Sequence, residues 1–540
     1  MRFAVFLAAV SLLAPAGPPP LGAGATQAVA NAPFVAATAR PAATAGFHPG
    51  RRLPADPDAA FAFFLPPASD RPPSRDRLWR ALDAAGRQAG GDRVGVHVRE
   101  IGDTTPVAVA AASPDPTVYA RFADEPFILA SNAKLFITAA ALDVLGPGHL
   151  VETRLLVRGE VTADGTLDGD LAVVGGGDPS FSWRLSADGD RDTVFRAWAA
   201  DLADAGVARV AGDLYLDHAR FDPPFIHPQW KPENDLEWYQ APVAALAFNE
   251  STVKLRAAPA ARPGLPATLS VEPDLPLVAV GGRVRTAASW RDVRLLVRRA
   301  AGGGLTVDGG VYHRGAEVEL PVAVADPVAW FGAALAAALA GEGIEIAGRV
   351  RAVAPRPGLV WRPLAVHRTP LVDLLEVTNH ESQNLFAETL VKLVGAARCG
   401  AGNWPRGVQA VEEVARSRGV DGPGFQLADG SGLSRGNHAT PRQVTALLAG
   451  MARHPHRDVY LATLPTGGET ATSLEKRLDK APYAGSFHAK TGTLSGVSTL
   501  SGYARGRSGR LYAFSLLAAG DVGRGRRAQD ALVRALVVDG

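Results

Sequence analysis

The texture of this chain changes twice, and those two changes limit its fold more than any single motif. Helical and strand patterns share residues 76–152. From 153 to 355 short strands alternate with turns, marked by Gly159, Asp164-Gly165, Asp168-Gly169 and Gly175-Gly176-Gly177. From 356 to 540 the helices return. Two outer parts of one kind around a middle of another predict a discontinuous α/β domain carrying inserted β-rich domains. In the first part 77–89 reads as a helix, and 94–98 alternates with Val94, Val96 and Val98 inward. A strand over 107–111 is expected to complete a hairpin, and 131–144 reads as a second helix. In the middle, strands are expected at 214–216, 269–271, 284–285 and 293–297, with one helix over 327–340. In the last part, helices are expected over 374–377, 385–395 and 408–418, and over 441–452 with Pro441 in the first turn. Residues 486–489, 498–503 and 511–517 read as adjacent antiparallel strands, before a closing helix over 526–536.

The N-terminus has the layout of a secretory signal peptide over residues 1–25: Arg2, an apolar run from Phe3 to Leu13, then small residues including Ala23 and Ala25. The alternative is an uncleaved anchor, for which the run is short. No other apolar stretch reaches the roughly 18 residues of a membrane span, so no stable transmembrane anchor is expected. Export follows, with a periplasmic, extracellular or wall-associated location. Residues 26–75 are Ala/Pro-rich and aperiodic, and are expected to be a disordered linker.

Charge excludes one class of partner. With 56 basic against 54 acidic residues, the net +2 offers no basic excess for nucleic acid. The single cysteine, Cys399, rules out an intramolecular disulfide and a Cys-rich metal site. The 12 histidines show no metal spacing, so neither metal nor cofactor is expected. Gly175-Gly176-Gly177 lacks the Lys-Ser/Thr of a phosphate loop and reads as a turn.

Three short motifs carry chemistry. In Ser131-Asn132-Ala133-Lys134 the Ser and Lys are three apart, on one helix face. A Lys amine of lowered pKa can take the Ser proton, and the helix N-terminus directs N–H groups at developing negative charge. Ser382-Gln383-Asn384 stands before a helix, and Lys490-Thr491-Gly492-Thr493 at the end of a strand. Taken singly, each is also what a capping Ser or a strand-end charge looks like.

Together, in this order, they resemble the S-x-x-K, S-x-N and K-T-G set of the serine penicillin-recognising enzymes. The long stretch between Ser131 and Ser382, Gly175-Gly176-Gly177-Asp178-Pro179, Ala241-Pro242 with Leu246 and Asn249, and Asp429-Gly430-Ser431-Gly432-Leu433-Ser434-Arg435 sharpen the likeness. They resemble the class C low-molecular-mass penicillin-binding proteins, the D-alanyl-D-alanine carboxypeptidase/endopeptidase family, over residues 76–540. The resemblance implies a penicillin-binding/β-lactamase-like transpeptidase domain acting on peptidoglycan stem peptides, with β-lactams as covalent inhibitors. It implies that Ser131 attacks, Lys134 is the base, Ser382 relays a proton with Lys490, and Asn384 binds the substrate amide. Thr491 and Thr493 would hold the terminal carboxylate, Gly492 would be a further substrate-binding residue, and the Ser131 and Thr493 N–H groups would bind the oxyanion. Asp235, Tyr239 and Arg435 would line a subsite for the free amine of the diamino acid; Asp235 reads equally as a turn acid. Two rivals are a serine β-lactamase and a non-catalytic penicillin-binding scaffold. The long Ser131–Ser382 stretch and the 429–435 segment oppose the first, and the complete motif set opposes the second. Oligomeric state is not legible.

Overall fold

The computed structural model describes residues 34–36, 74–88, 92–102, 116–355 and 358–540. The outer parts of the chain share one antiparallel sheet, in the order Phe487–Leu494, Val497–Arg505, Leu511–Ala519, Arg93–Ile101, Thr117–Arg121. Val94, Val96 and Val98 point inward as the alternation requires. The expected strand at 107–111 lies outside the described residues; Arg93–Ile101 pairs instead with Thr117–Arg121.

Ten α-helices fall among the described residues: α1 (Arg75–Arg87), α2 (Ala133–Leu145), α3 (Thr193–Asp204), α4 (Pro327–Gly341), α5 (Leu371–His380), α6 (Asn384–Cys399), α7 (Trp404–Ser417), α8 (Pro441–Ala452), α9 (Arg457–Ala462) and α10 (Val522–Asp539). The sheet is buried on both faces, which is why Leu511–Ala519 is an almost unbroken apolar run rather than an alternating one. Phe514 and Leu516 join Leu78 and Leu82 of α1 and Leu532 and Leu536 of α10 on one side. Ala513 and Leu517 face the other, with Leu135 of α2 and Leu447 of α8. From Ala133 to Leu142 every residue of α2 is buried. A helix that is apolar all round belongs inside a protein, so the nucleophile candidate sits at the head of a rigid central rod.

The middle of the chain forms a mixed seven-stranded sheet, a three-stranded sheet around Thr252–Ala258, and a sheet of Val280–Ala287, Arg294–Arg299 and Leu305–Tyr312. Three features differ from expectation. The strand Arg362–Pro370 pairs antiparallel with Leu150–Val161, so the inserted sheet runs on past 355 to Pro370. The turn residues near Gly358 mimic a boundary, but the strand after them still belongs to the insertion. A second helix, α3, joins α4, burying Phe195, Trp198, Ala199 and Leu202 at helical spacing. Within the segment expected to be a disordered linker, Phe34–Ala36 forms a strand antiparallel to Leu295–Val297. No helix among the described residues is long and apolar enough to cross a membrane.

Candidate active site

Ser131 lies in the 3-10 turn Ala130–Asn132 that leads into α2. Ala130 holds a left-handed φ of 45°, a conformation that costs a residue with a Cβ about 1 kcal/mol or more and persists only where packing enforces it. The packing is visible: a Cβ on Gly432 would stand 1.8 Å from the Ala130 carbonyl oxygen. From the sheet side, Gly492 presses on the same turn. A Cβ there would meet Thr499 Oγ1 at 2.2 Å, Ser131 N at 2.9 Å and Ala130 Cβ at 3.1 Å. The glycine of the K-T-G motif is therefore what lets the strand approach the Ser131 turn. Asn132, the second residue of S-x-x-K, locks it: Nδ2 donates to Lys490 O at 2.8 Å and Oδ1 accepts from Ser501 Oγ at 2.7 Å.

Lys134 is completely buried in the first turn of α2. Its Nζ lies 3.0 Å from Ser131 Oγ, 2.8 Å from Asn384 Oδ1 and 2.9 Å from Ser431 O. The amide of Asn384 is oriented by its other end, since Nδ2 donates to Tyr239 O at 2.8 Å. Asn384 Oδ1 and Ser431 O can only accept. A neutral amine has two N–H groups and one lone pair, so those two acceptors turn the lone pair toward the Ser131 hydroxyl. Burial pushes Lys134 down, to about 7, against the opposing pull of Glu388 and Asp429.

Ser382 stands just before α6 with φ at 60°. The insertion braces its neighbours. Arg184 forms ion pairs with Glu250 and with Glu381, and Gln383 Nε2 donates to Glu250. Glu250 itself sits in the middle of Asn249-Glu250-Ser251, three successive residues of positive φ. Lys490 is not at a strand end, as expected, but inside Phe487–Leu494, fully buried, with Nζ donating to Thr491 O at 3.2 Å. Burial and then Lys134 hold its amine well below the ordinary lysine range.

Phe487–Leu494 is the edge strand of its sheet. Ala489 N points outward, bonding Pro465 O at 2.9 Å, so strand alternation puts the Thr491 and Thr493 N–H groups on the same outer edge. Thr491 Oγ1 donates to Ser473 Oγ at 2.7 Å, and Arg526 reaches Thr493 Oγ1 at 3.5 Å.

The structure thus gathers Ser131, Lys134, Asn384, Lys490 and Gly492 around one turn. The three subsite candidates are placed differently. Asp235 accepts from Arg299 Nε at 2.9 Å in an ion pair. Tyr239 lies in the separate 3-10 turn Trp238–Gln240, and its carbonyl, rather than its ring, meets Asn384. Its phenol is pushed up to about 12 by burial and by Glu237. Arg435 donates to Ser495 O beyond the K-T-G strand. His380, beside the S-x-N motif, bonds Ala462 O at 3.2 Å and takes no place at Ser131. Sequence reading passed over Glu388, one turn after Asn384 on α6; the four-residue interval was the available signal.

A family profile described as D-Ala-D-Ala carboxypeptidase 3 (S13) matches residues 96–537. The chain belongs to that family. It is 35% identical over 435 residues to a D-alanyl-D-alanine carboxypeptidase of Actinomadura sp., covering 78% of this chain and 79% of the relative. A second relative, D-alanyl-D-alanine carboxypeptidase DacB of Haemophilus influenzae, is 28% identical over 406 residues, 74% of this chain and 81% of its own. The crystal structure of penicillin binding protein 4 from Haemophilus influenzae superposes with a TM-score of 0.72 at 25% identity, covering 84% of this chain and 97% of that one. As a member of the S13 family the protein is a serine peptidase, a hydrolase.

Proposed function

We propose that this protein is an exported D-alanyl-D-alanine carboxypeptidase that trims peptidoglycan stem peptides through an acyl-enzyme on Ser131, and opens crosslinks as an endopeptidase when the attacked bond lies in one. One observation carries this reading: the buried Lys134 Nζ lies 3.0 Å from Ser131 Oγ, with the acceptors Asn384 Oδ1 and Ser431 O as its other two partners.

The chemistry follows from that geometry. Ser131 Oγ attacks the carbonyl between the two D-alanines while its proton passes to Lys134. Negative charge on the carbonyl oxygen would be met by the N–H groups of Ser131 and Thr493, and losing one such donor costs about a hundredfold in rate. Ser382, with Lys490 behind it, would return the proton to the leaving D-alanine, and water would then hydrolyse the ester. The open edge of Phe487–Leu494 suits a peptide added as a further strand. Thr491 and Thr493 would take the terminal carboxylate, whose charge would restore the cationic form of Lys490. Asn384 would bind the substrate amide. Asp235, Tyr239 and Arg435 are proposed to flank the stem-peptide side chain, with Asp235 reaching it only by sharing or leaving Arg299. A β-lactam would stop the cycle at the acyl-enzyme.

Purified muropeptides test the proposal. Pentapeptide monomers should lose one D-alanine each, and crosslinked dimers should fall to monomers more slowly. Intact substrates after prolonged incubation with folded, unlabelled enzyme, a separate aliquot of which takes up penicillin, would refute it.

A further inference from the structure

α6 carries a polar stripe through an otherwise apolar core. Asn384, Glu388 and Lys392 recur at four-residue spacing, and Glu388 and Lys392 are completely buried. Only Asn384 belongs to a motif with an assigned task. Glu388 Oε1 accepts from Ser431 N at 2.7 Å; Oε2 accepts from Gly430 N at 2.9 Å and from Trp404 Nε1 at 2.7 Å. All three partners donate and none can accept, so a proton on this carboxyl would displace one of them. Ser431, whose N–H it holds, is also the residue whose carbonyl binds Lys134 Nζ.

We propose that Glu388 is a positioning residue for acylation: it fixes the Gly430-Ser431 peptides so that Ser431 O aims the Lys134 amine at Ser131, and its buried negative charge stabilises the ammonium that Lys134 becomes. The inference rests on Lys134 acting as base for Ser131.

The step needs such a charge. As the Ser131 Oγ–carbonyl bond forms, the hydroxyl proton moves to Lys134, and the carbonyl π electrons move to oxygen. A cation is thereby created on a completely buried side chain, which burial opposes. Lys134 faces Glu388 from α6, Asp429 from the 429–435 segment, and Lys490 from the edge strand. The two carboxylates favour the ammonium; Lys490 disfavours it. Asp429 is occupied by its own loop and by the insertion, accepting from Gly432 N, Ser434 N and Asn437 Nδ2 and from Trp230 Nε1. Glu388 alone of the two comes from the helix that also supplies Asn384. On its far side lie Lys392, four residues on, and His227, which faces both Asp429 and Lys392. Burial and then Asp429 push Glu388 up, to about 7, and Glu388 in turn pulls Lys134 upward, so protonation of one bears on the other.

The pH profile of acylation by a fluorescent penicillin reads this directly. Glu388→Gln removes the charge, and the acid limb should move down by about one pH unit while the plateau falls tenfold or more. Glu388→Asp keeps the charge on a shorter stem; its plateau should fall with the limb in place. Trp404→Phe takes one N–H from the carboxylate, raises the proton affinity of the pair, and should move the limb to higher pH. If Glu388→Gln does not fold, Trp404→Phe decides by itself. A limb unmoved in the folded Gln or Phe variant overturns the proposal and leaves Glu388 a purely structural brace. Wild-type enzyme that does not label at Ser131 would instead overturn the reading beneath it.

Discussion

Gly492→Ala puts the close approach of the edge strand to the Ser131 turn under test. The added Cβ would lie 2.2 Å from Thr499 Oγ1, 2.9 Å from Ser131 N and 3.1 Å from Ala130 Cβ. Ordinary contact begins near 3.4 Å, so the edge strand must retreat by about 1 Å. A misplacement of that size at reacting groups costs about a hundredfold in rate. Because the retreat also carries Thr493 N away from Ser131 N, its proposed partner in the oxyanion site, a loss of about a hundred- to a thousandfold is expected. Stability should suffer less, since an edge strand can move outward; overpacking costs about 1–3 kcal/mol. The assay is the second-order acylation rate with a fluorescent penicillin beside thermal melting. Adding Thr499→Ala removes the 2.2 Å contact but not those to Ser131 N and Ala130 Cβ, so the double variant should regain melting temperature without regaining rate. A Gly492→Ala enzyme that acylates within roughly threefold of wild type would refute the reasoning.

Other predictions concern charge and bracing. Wild-type acylation should rise through an acid limb near pH 7 as Lys134 loses its proton. The same depressed pKa penalises the folded state below the ordinary lysine value, most fully below about pH 7, because the unfolded chain binds the proton more tightly. Lys134→Met should therefore abolish acylation, and its melting temperature relative to wild type should be more favourable at pH 6 than at pH 9. Asn384→Asp sets a carboxylate against the Lys134 amine and, at its other oxygen, against Tyr239 O. Its acid limb should move up in pH and its rate should fall at least tenfold in the same labelling assay. Arg184→Ala leaves Glu250 and Glu381 without their cation. Urea denaturation should show a loss of about 3 kcal/mol, the cost of breaking a buried pair, and acylation should slow because Gln383 and Ser382 lose their brace.

What was legible in the sequence was local. The three motifs each lie within a few residues, and the helix and strand periods that carry them are short-range patterns. Even the discontinuity of the domain showed, as a change of texture. What stayed hidden depends on partners far along the chain. Asp235 reads as a turn acid or an amine reader, while its guanidinium partner, Arg299, comes from the distant strand Arg294–Arg299. Arg362–Pro370 belongs to the inserted sheet only because Leu150–Val161 is waiting for it. Glu388 looks like the solvent-facing acid of an amphipathic helix, because nothing nearby announces that Trp404 and the Gly430-Ser431 peptides close over it. The helix α3 was within reach, since Phe195, Trp198, Ala199 and Leu202 have the right spacing; the Asp188-Gly189-Asp190 turn just before it masked the pattern. The depressed Lys134 amine is of the hidden kind as well, since burial, not the S-x-x-K spacing, produces it.

Ser131 as the acylated residue is tested most directly by peptide mapping after brief exposure to penicillin. The wild-type protein should gain one penicilloyl group, located by fragmentation on the peptide containing Ser131, and Ser131→Ala should gain none while melting as wild type does. A label on any other residue, or undiminished labelling of folded Ser131→Ala, would contradict the mechanism built on the Ser131–Lys134 contact.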